Sequence, residues 1–217
     1  MKAYTLMEFG RLEEAIAAFR RVLESEPREA EAHNNLGLCL ALSGRLEDAC
    51  VSTKRAVDLR PDYAEAWANL GGYLGRLGRY LEGIEACDRA VALKPGWAEA
   101  HANKGVNLSG LGRFKEASEC FDRALQADPG YWKACLMAAE SLARQGAAAE
   151  EILPLVERGI AINPKDAGGL AMAAACLSDL GRSVEAERYL GLAIAVDRNH
   201  VLVSKVWEAL RNKAISE

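Results

Sequence analysis

Long apolar runs are missing from this chain. Nowhere do about eighteen apolar residues follow one another, which excludes a membrane-spanning helix. The opening Met1-Lys2-Ala3 leads to Glu8 rather than into an apolar signal segment. Basic runs are missing as well: the net charge is −4, and no aromatic ladder stands among lysines and arginines, so no surface answers to nucleic-acid phosphates. Aromatic residues make up only 6%, histidines number three, and the six cysteines include no Cys-x-x-Cys pair. Cys39, Cys50, Cys87, Cys120, Cys135 and Cys176 therefore read as small buried hydrophobes in a reducing compartment. The expectation is a cytoplasmic protein with no metal, no other cofactor and no membrane insertion. Strand patterns are lacking, and with them any phosphate loop that follows a strand. No nucleophile has a base beside it in a readable motif. Nothing among these residues supports an enzyme.

What is present is a period. Pro27, Pro61, Pro95 and Pro129 fall 34 residues apart, and 17 residues before each stands a Gly-Arg pair, at Gly10, Gly44, Gly78 and Gly112. The frame continues through Gly146 to Pro164 with one extra residue, and through Gly181-Arg182 to Arg198, where the proline is missing. Within residues 30–63, two stretches with apolar residues at three and four spacing predict two helices joined by a Ser-Gly-Arg turn. Ala32, Leu36, Leu40 and Ala41 mark the stripe of the first, and Ala49, Val57 and Leu59 belong to that of the second. Glycine permits the positive φ at which the first helix stops, and proline ends the second because it lacks the next backbone donor. Neither helix can bury its stripe alone, so the units must stack.

These residues resemble the tetratricopeptide repeat, whose 34-residue signature runs Trp-x2-Leu-Gly-x2-Tyr and then Ala, Phe, Ala and Pro. Trp67, Leu70, Gly71, Leu74, Gly83, Ala90 and Pro95 follow it. So do Leu36, Gly37, Ala49, Ala56 and Pro61, and Gly105, Ala117, Phe121, Ala124 and Pro129. The resemblance covers nearly the whole chain. It implies an all-α, right-handed α-solenoid of stacked helix-turn-helix units in a single array over residues 1–217. Its expected parts are a partial repeat over 1–29, repeats over 30–63, 64–97, 98–131, 132–166 and 167–200, and a capping helix over 201–217. That helix carries Val203, Val206, Trp207 and Leu210 at helical spacing. Met1 to Phe9, by contrast, is about half of a first helix: either the chain is a fragment, or its front edge is meant to be covered.

Departures from the pattern carry their own expectations. His33 and His101 occupy the slot of Trp67, a packing slot. In residues 132–166 the usual tryptophan is Cys135, the usual glycine is Ala139, and Pro154 falls inside the second helix, where a kink or shortening is expected near Leu153. Lys104 replaces an apolar residue and is expected to run its stem along the neighbouring helix. Glu13, Glu14, Glu47, Asp48, Glu116 and Glu119 lie near the starts of second helices, where carboxylates complement the helix dipole.

In proteins of this resemblance the first helices line a concave groove. One side of each such helix reads Glu31, Asn35, Leu38 and Leu42, then Glu65, Asn69, Gly72 and Arg76, then Glu99, Asn103, Val106 and Gly110. The three asparagines are expected to face solvent. An amide offers the donor and acceptor that an extended peptide backbone also presents, and the ladder is similar to that lining the repeats of O-linked N-acetylglucosamine transferases. Further on the side reads Lys133, Met137, Glu140 and Arg144, then Gly168, Met172, Ala175 and Asp179, with the methionines as an adaptable apolar stretch or as core. Glu31, Glu65 and Glu99 stand where a chaperone-tail clamp would need a lysine, which disfavours that partner.

Three functional readings follow. The favoured one is an adaptor, binding an extended segment of a protein or peptide partner in this groove. The others are the repeat portion of a larger enzyme such as a glycosyltransferase, and a scaffold whose copies stack as homo-oligomers through the open N-terminal edge.

Overall fold

The computed structural model describes residues 5–7 and 9–216, with the side chains of 212–216 outside the description. Every regular element among these residues is an α-helix. The chain divides into two compact units, Met1–Ala127 and Asp128–Glu217. The first holds α1 (Leu12–Ser25), α2 (Ala30–Leu42), α3 (Leu46–Leu59), α4 (Ala64–Arg76), α5 (Tyr80–Leu93), α6 (Ala98–Gly110) and α7 (Phe114–Ala127). The second holds α8 (Trp132–Gln145), α9 (Ala149–Ile162), α10 (Ala167–Asp179), α11 (Ser183–Val196) and α12 (Val201–Ser216). In each unit helices pack pairwise, α2 on α3, α4 on α5, α6 on α7, α8 on α9 and α10 on α11. Within a unit the second helix of a pair also touches the first helix of the next. This is an all-α solenoid of stacked hairpins.

One turn, used repeatedly, makes the hairpins. Gly44 adopts φ +79°, and Gly10, Gly78, Gly112, Gly146 and Gly181 share that left-handed conformation, which costs other residues strain. The residue after the glycine then donates its backbone N–H to the first helix: Arg45 to the Leu40 carbonyl, Arg79 to Leu74, Arg113 to Leu108 and Arg182 to Leu177, each at 2.9 Å. This six-to-one bond satisfies a carbonyl that the helix end would leave orphaned. The same arginine reaches forward to a carboxylate three residues on. Arg11 holds Glu14, Arg45 Asp48, Arg79 Glu82, Arg113 Glu116 and Arg182 Glu185. Hydrogen bonding to the guanidinium keeps the carboxyls of Glu82, Glu116 and Glu185 below the usual carboxylate range. These acids complement the helix start and also bolt the turn to it.

The second helices end on residues that leave helical backbone toward the extended region, Glu26, Arg60, Lys94 and Asn163, at φ between −126° and −141°. Each precedes a proline, whose ring disfavours helical backbone at the residue before it. Asp197 is also extended, at φ −154°, although Arg198 follows it. There the Asp197 carboxylate accepts from the Asn199 N–H at 2.9 Å, closing the turn by a side chain instead.

Pro154 does not shorten its helix. α9 runs unbroken from Ala149 to Ile162, fourteen residues, the length of α3 and α5. Pro154 and Glu150 are both exposed, so the carbonyl deprived of its donor lies on the water side. The extra residue of this repeat sits in the turn, where Ala147 and Ala148 separate Gly146 from α9. Along α12, Val203 and Val206 are buried against α10 and α11, while Trp207 is 44% exposed beneath Arg211. At the front, residues 5–7 are helical and Leu6 is buried; the rest of the half helix expected over Met1 to Phe9 lies outside the described residues, apart from an exposed Phe9.

Where helices approach most closely the side chains are alanines. Ala90 of α5 is fully buried in contact with Ala68 and Ala100, which belong to α4 and α6, and Ala124 of α7 is equally buried. The six cysteines are buried and free. Burial pushes the Cys87 thiol up to about 12 and raises the other five above their ordinary value.

Two outcomes are expected. Ala90→Leu and Ala124→Leu each overpack a tight approach and should lower stability by about 1–3 kcal/mol, read as a shifted urea midpoint; unchanged midpoints for both would show these sites to be roomy. At pH 8 the folded protein should react sluggishly with a disulfide thiol reagent, since thiolate is the reactive species and its formation is suppressed. Six thiols should react promptly once denaturant is added; a fast thiol in the native protein contradicts the burial.

Candidate binding face

The first unit carries the residues expected to line a groove on α2, α4 and α6. Glu31, Glu65 and Arg76 are exposed, Leu38 and Glu99 half-buried. The asparagines are more occupied than the expectation of a solvent-facing ladder allowed. Asn35 is buried, and Asn69 and Asn103 are half-buried. The Asn69 amide donates to Asn34 Oδ1 at 3.1 Å, and Asn34 donates in turn to the Tyr63 hydroxyl at 3.3 Å. Asn103 donates to the Ala68 carbonyl at 3.1 Å. One level deeper, Asn107 is fully buried and gives its amide protons to the carbonyls of Gly71 and Asn103. The side is thus a seam: the amides of Asn69, Asn103 and Asn107 stitch their helices to the preceding first helix, across 35 or 36 residues of sequence.

Small residues admit these amides. A Cβ on Gly83 would lie 2.2 Å from Asn107 Oδ1, and one on Gly75 2.7 Å from it. At the far end of the side, Gly110 leaves room for the ring of Tyr80. Tyr73 of α4 is buried, and burial, with the charge of Glu99 added, holds its phenol well above the ordinary value.

The slot shared by His33, Trp67 and His101 has a chemical function beyond packing. The Trp67 Nε1–H donates to the Pro61 carbonyl at 2.9 Å, and the Nε2 atoms of His33 and His101 lie 3.0 and 2.7 Å from the carbonyls of Pro27 and Pro95. A ring nitrogen six residues after each proline ties the interhelical turn to the helix that follows, which explains why histidine can replace tryptophan. Lys104 reaches across to Asp88 of α5 and forms an ion pair.

In the second unit, Met137 and Met172 are half-buried, Met172 against the core of α9 to α11. Arg144 is exposed and paired with Glu140 one turn away, at 3.1 Å. Among the described residues no three His, Cys, Asp or Glu side chains gather as a metal would require, and no helix is long and apolar enough to cross a membrane.

Sequence reasoning missed Asn34, Asn107 and the turn arginine with its acid. The last was legible, because Arg45 and Asp48 recur as Arg79 and Glu82, and Arg113 and Glu116, on the same 34-residue frame. The direction of an amide was not.

A stack of hairpins with a seam of amides and a line of carboxylates along one side is a helical-repeat scaffold for protein interaction. The tetratricopeptide-repeat family model matches residues 1–50, 54–96 and 103–167, and the chain belongs to that family. No curated protein matches the sequence. Among solved structures, PilW, a widely conserved type IV pilus biogenesis factor, aligns at 23% identity over 94% of both chains with a TM-score of 0.78. MamA aligns at 24% identity over 75% of this chain and 95% of its own, TM-score 0.62. YrrB, a TPR protein with an unusual peptide-binding site, aligns at 20% identity over 88% and 98%, TM-score 0.54. At these identities the likeness is one of fold.

Asn69→Ala and Asn103→Ala should each destabilise the protein by about 0.5–1.5 kcal/mol, the net value of one interhelical hydrogen bond. Thermal unfolding of the single variants measures this; wild-type midpoints for both would mean that the amides do not join the helices.

Proposed function

We propose that the side of α2, α4 and α6 bearing Glu31, Glu65 and Glu99 binds an extended, basic segment of a protein partner. The carrying observation is the recurrence, on three successive first helices, of a carboxylate one helical turn from an asparagine. Lysines or arginines spaced along an extended chain complement the carboxylates, and the half-buried side chains of Asn69 and Asn103 stand beside them with donor and acceptor atoms of the kind a peptide backbone pairs with. Half-buried Leu38 supplies apolar contact, without which a few hydrogen bonds would fall short of micromolar affinity, about −8 kcal/mol. Peptide binding by YrrB, which shares the fold, supports the reading. In the second unit, taken by itself, Met137, Arg144 and Met172 are proposed as partner contacts.

The charges should act mainly on encounter. A labelled lysine-bearing extended peptide should associate with the wild type more slowly as salt is raised; with Glu31→Lys, Glu65→Lys and Glu99→Lys combined, association should slow and its salt dependence flatten or invert. Asn69→Ala and Asn103→Ala together should weaken binding by about 1–3 kcal/mol, measured at a temperature where circular dichroism shows the variant folded. Full affinity in that folded variant would place the binding surface elsewhere.

A further inference from the structure

Half a turn around α2 and α4 from the acidic side, the first unit opens a recess. Residues 33, 36 and 40 of α2 and 67, 70 and 74 of α4 line it, whereas residues 31, 35, 38 and 42 and their equivalents face the other way. Its volume is about 950 Å³, within the range of sites that take several apolar groups. Leu36, Leu40, Trp67, Leu70 and Leu74 form the floor, and side chains of α1, α3 and α5 surround it. Val51 stands 73% exposed at the rim.

The recess is a local feature rather than a property of every repeat. Leu36 and Leu70 occupy one position of the 34-residue frame, and the next residue in that position is Lys104, committed to Asp88. The apolar lining therefore ends where Lys104 begins.

The charges around the recess are unbalanced once internal pairs are removed. Asp48 is held by Arg45, Lys54 by Asp58, and Arg79 by Glu82. Of the charged side chains that line the recess, Arg20, Arg55, Arg89 and Glu85 then remain, with no ion pair among the described residues. Three cations face one anion, and the cations come from three different helices, α1, α3 and α5. A polypeptide with carboxylates distributed along it could meet all three.

We propose that this recess docks an acidic amphipathic segment of a protein partner, with its apolar side chains over Leu70 and Leu74 and its carboxylates at Arg20, Arg55 and Arg89. The first unit then presents two binding sides of opposite preference, basic segments on one and acidic segments on the other. The two proposals rest on different residues and stand or fall separately.

The test uses the full chain and three probes. One is a fluorescein-labelled peptide with leucines at i and i+4 and glutamates between them; the second is its twin with lysine at every glutamate; the third is oleate, as competitor. The acidic peptide should bind in the micromolar range by anisotropy, and the lysine twin at least about tenfold more weakly. Arg55→Glu with Arg89→Glu, both exposed positions, should raise the acidic peptide's Kd by about tenfold or more without altering the circular dichroism spectrum. Val51→Asp should weaken it as well. Lys115→Glu with Arg123→Glu, the same charge change on α7, should leave it unchanged. Equal binding of the twins, a Kd unmoved by the recess arginines, no binding of the acidic peptide, or its displacement by oleate at stoichiometric concentration would each overturn the proposal.

Discussion

Everything in this structure depends on how near two helices can come. Hairpins stack only if the second helix of one pair lies close to both its partner and the next first helix, and that distance is set by what projects between backbones. Alanine at 56, 90 and 124, wholly buried, and glycine at 37, 71 and 105 supply the smallest projections available. Larger groups then fit at fixed places opposite them: Thr53 against Gly37, Cys87 against Gly71 and Phe121 against Gly105. Dispersion across such dry, narrow contacts accumulates over many atoms. Since a repeat touches only its neighbours in sequence, the total is a sum of these local fits.

That dependence explains which features could be read from the sequence. Turn glycines, approach alanines and helix-ending prolines answer to steric rules that hold whatever surrounds them, so Gly44, Ala90 and Pro61 announced their roles. Pro154 did not, because the cost of a proline depends on whether the freed carbonyl meets water, and exposure of Glu150 is a tertiary fact. The asparagines were legible as a ladder but not as a seam. An amide half a helix from solvent can turn outward or toward its neighbour, and only the placed backbone of Ala68 and Gly71 decides. The recess was invisible for a like reason: Arg20, Arg55 and Arg89 look like ordinary surface arginines until Lys54 and Arg79 are seen to be spent on internal pairs.

The same reasoning separates the two sides of the first unit. On one, repeated carboxylates accompany hydrogen-bonding amides, the chemistry proposed to meet a basic extended segment. On the other, an apolar floor lies under a cationic rim, the chemistry proposed to meet an acidic amphipathic one. Both are built on the same helices, α2 and α4, and both share residues with the stacking itself: the amide seam on one, the core side chains of Leu36, Leu40, Leu70 and Leu74 on the other.

The fit of Asn107 sets a limit on rearranging the chain. Its side chain occupies space left by Gly75 and Gly83 of the repeat before it and donates to the Gly71 carbonyl; in the repeat before that, the residues matching the two glycines are Ala41 and Ala49. Transposing the repeats 30–63 and 64–97, though they share length, turn and punctuation, would bring two methyl groups to the places where an added Cβ stands 2.7 and 2.2 Å from Asn107 Oδ1. Units alike enough to be aligned are therefore not interchangeable parts: each is keyed to its predecessor, and the order of the array is written into its interior.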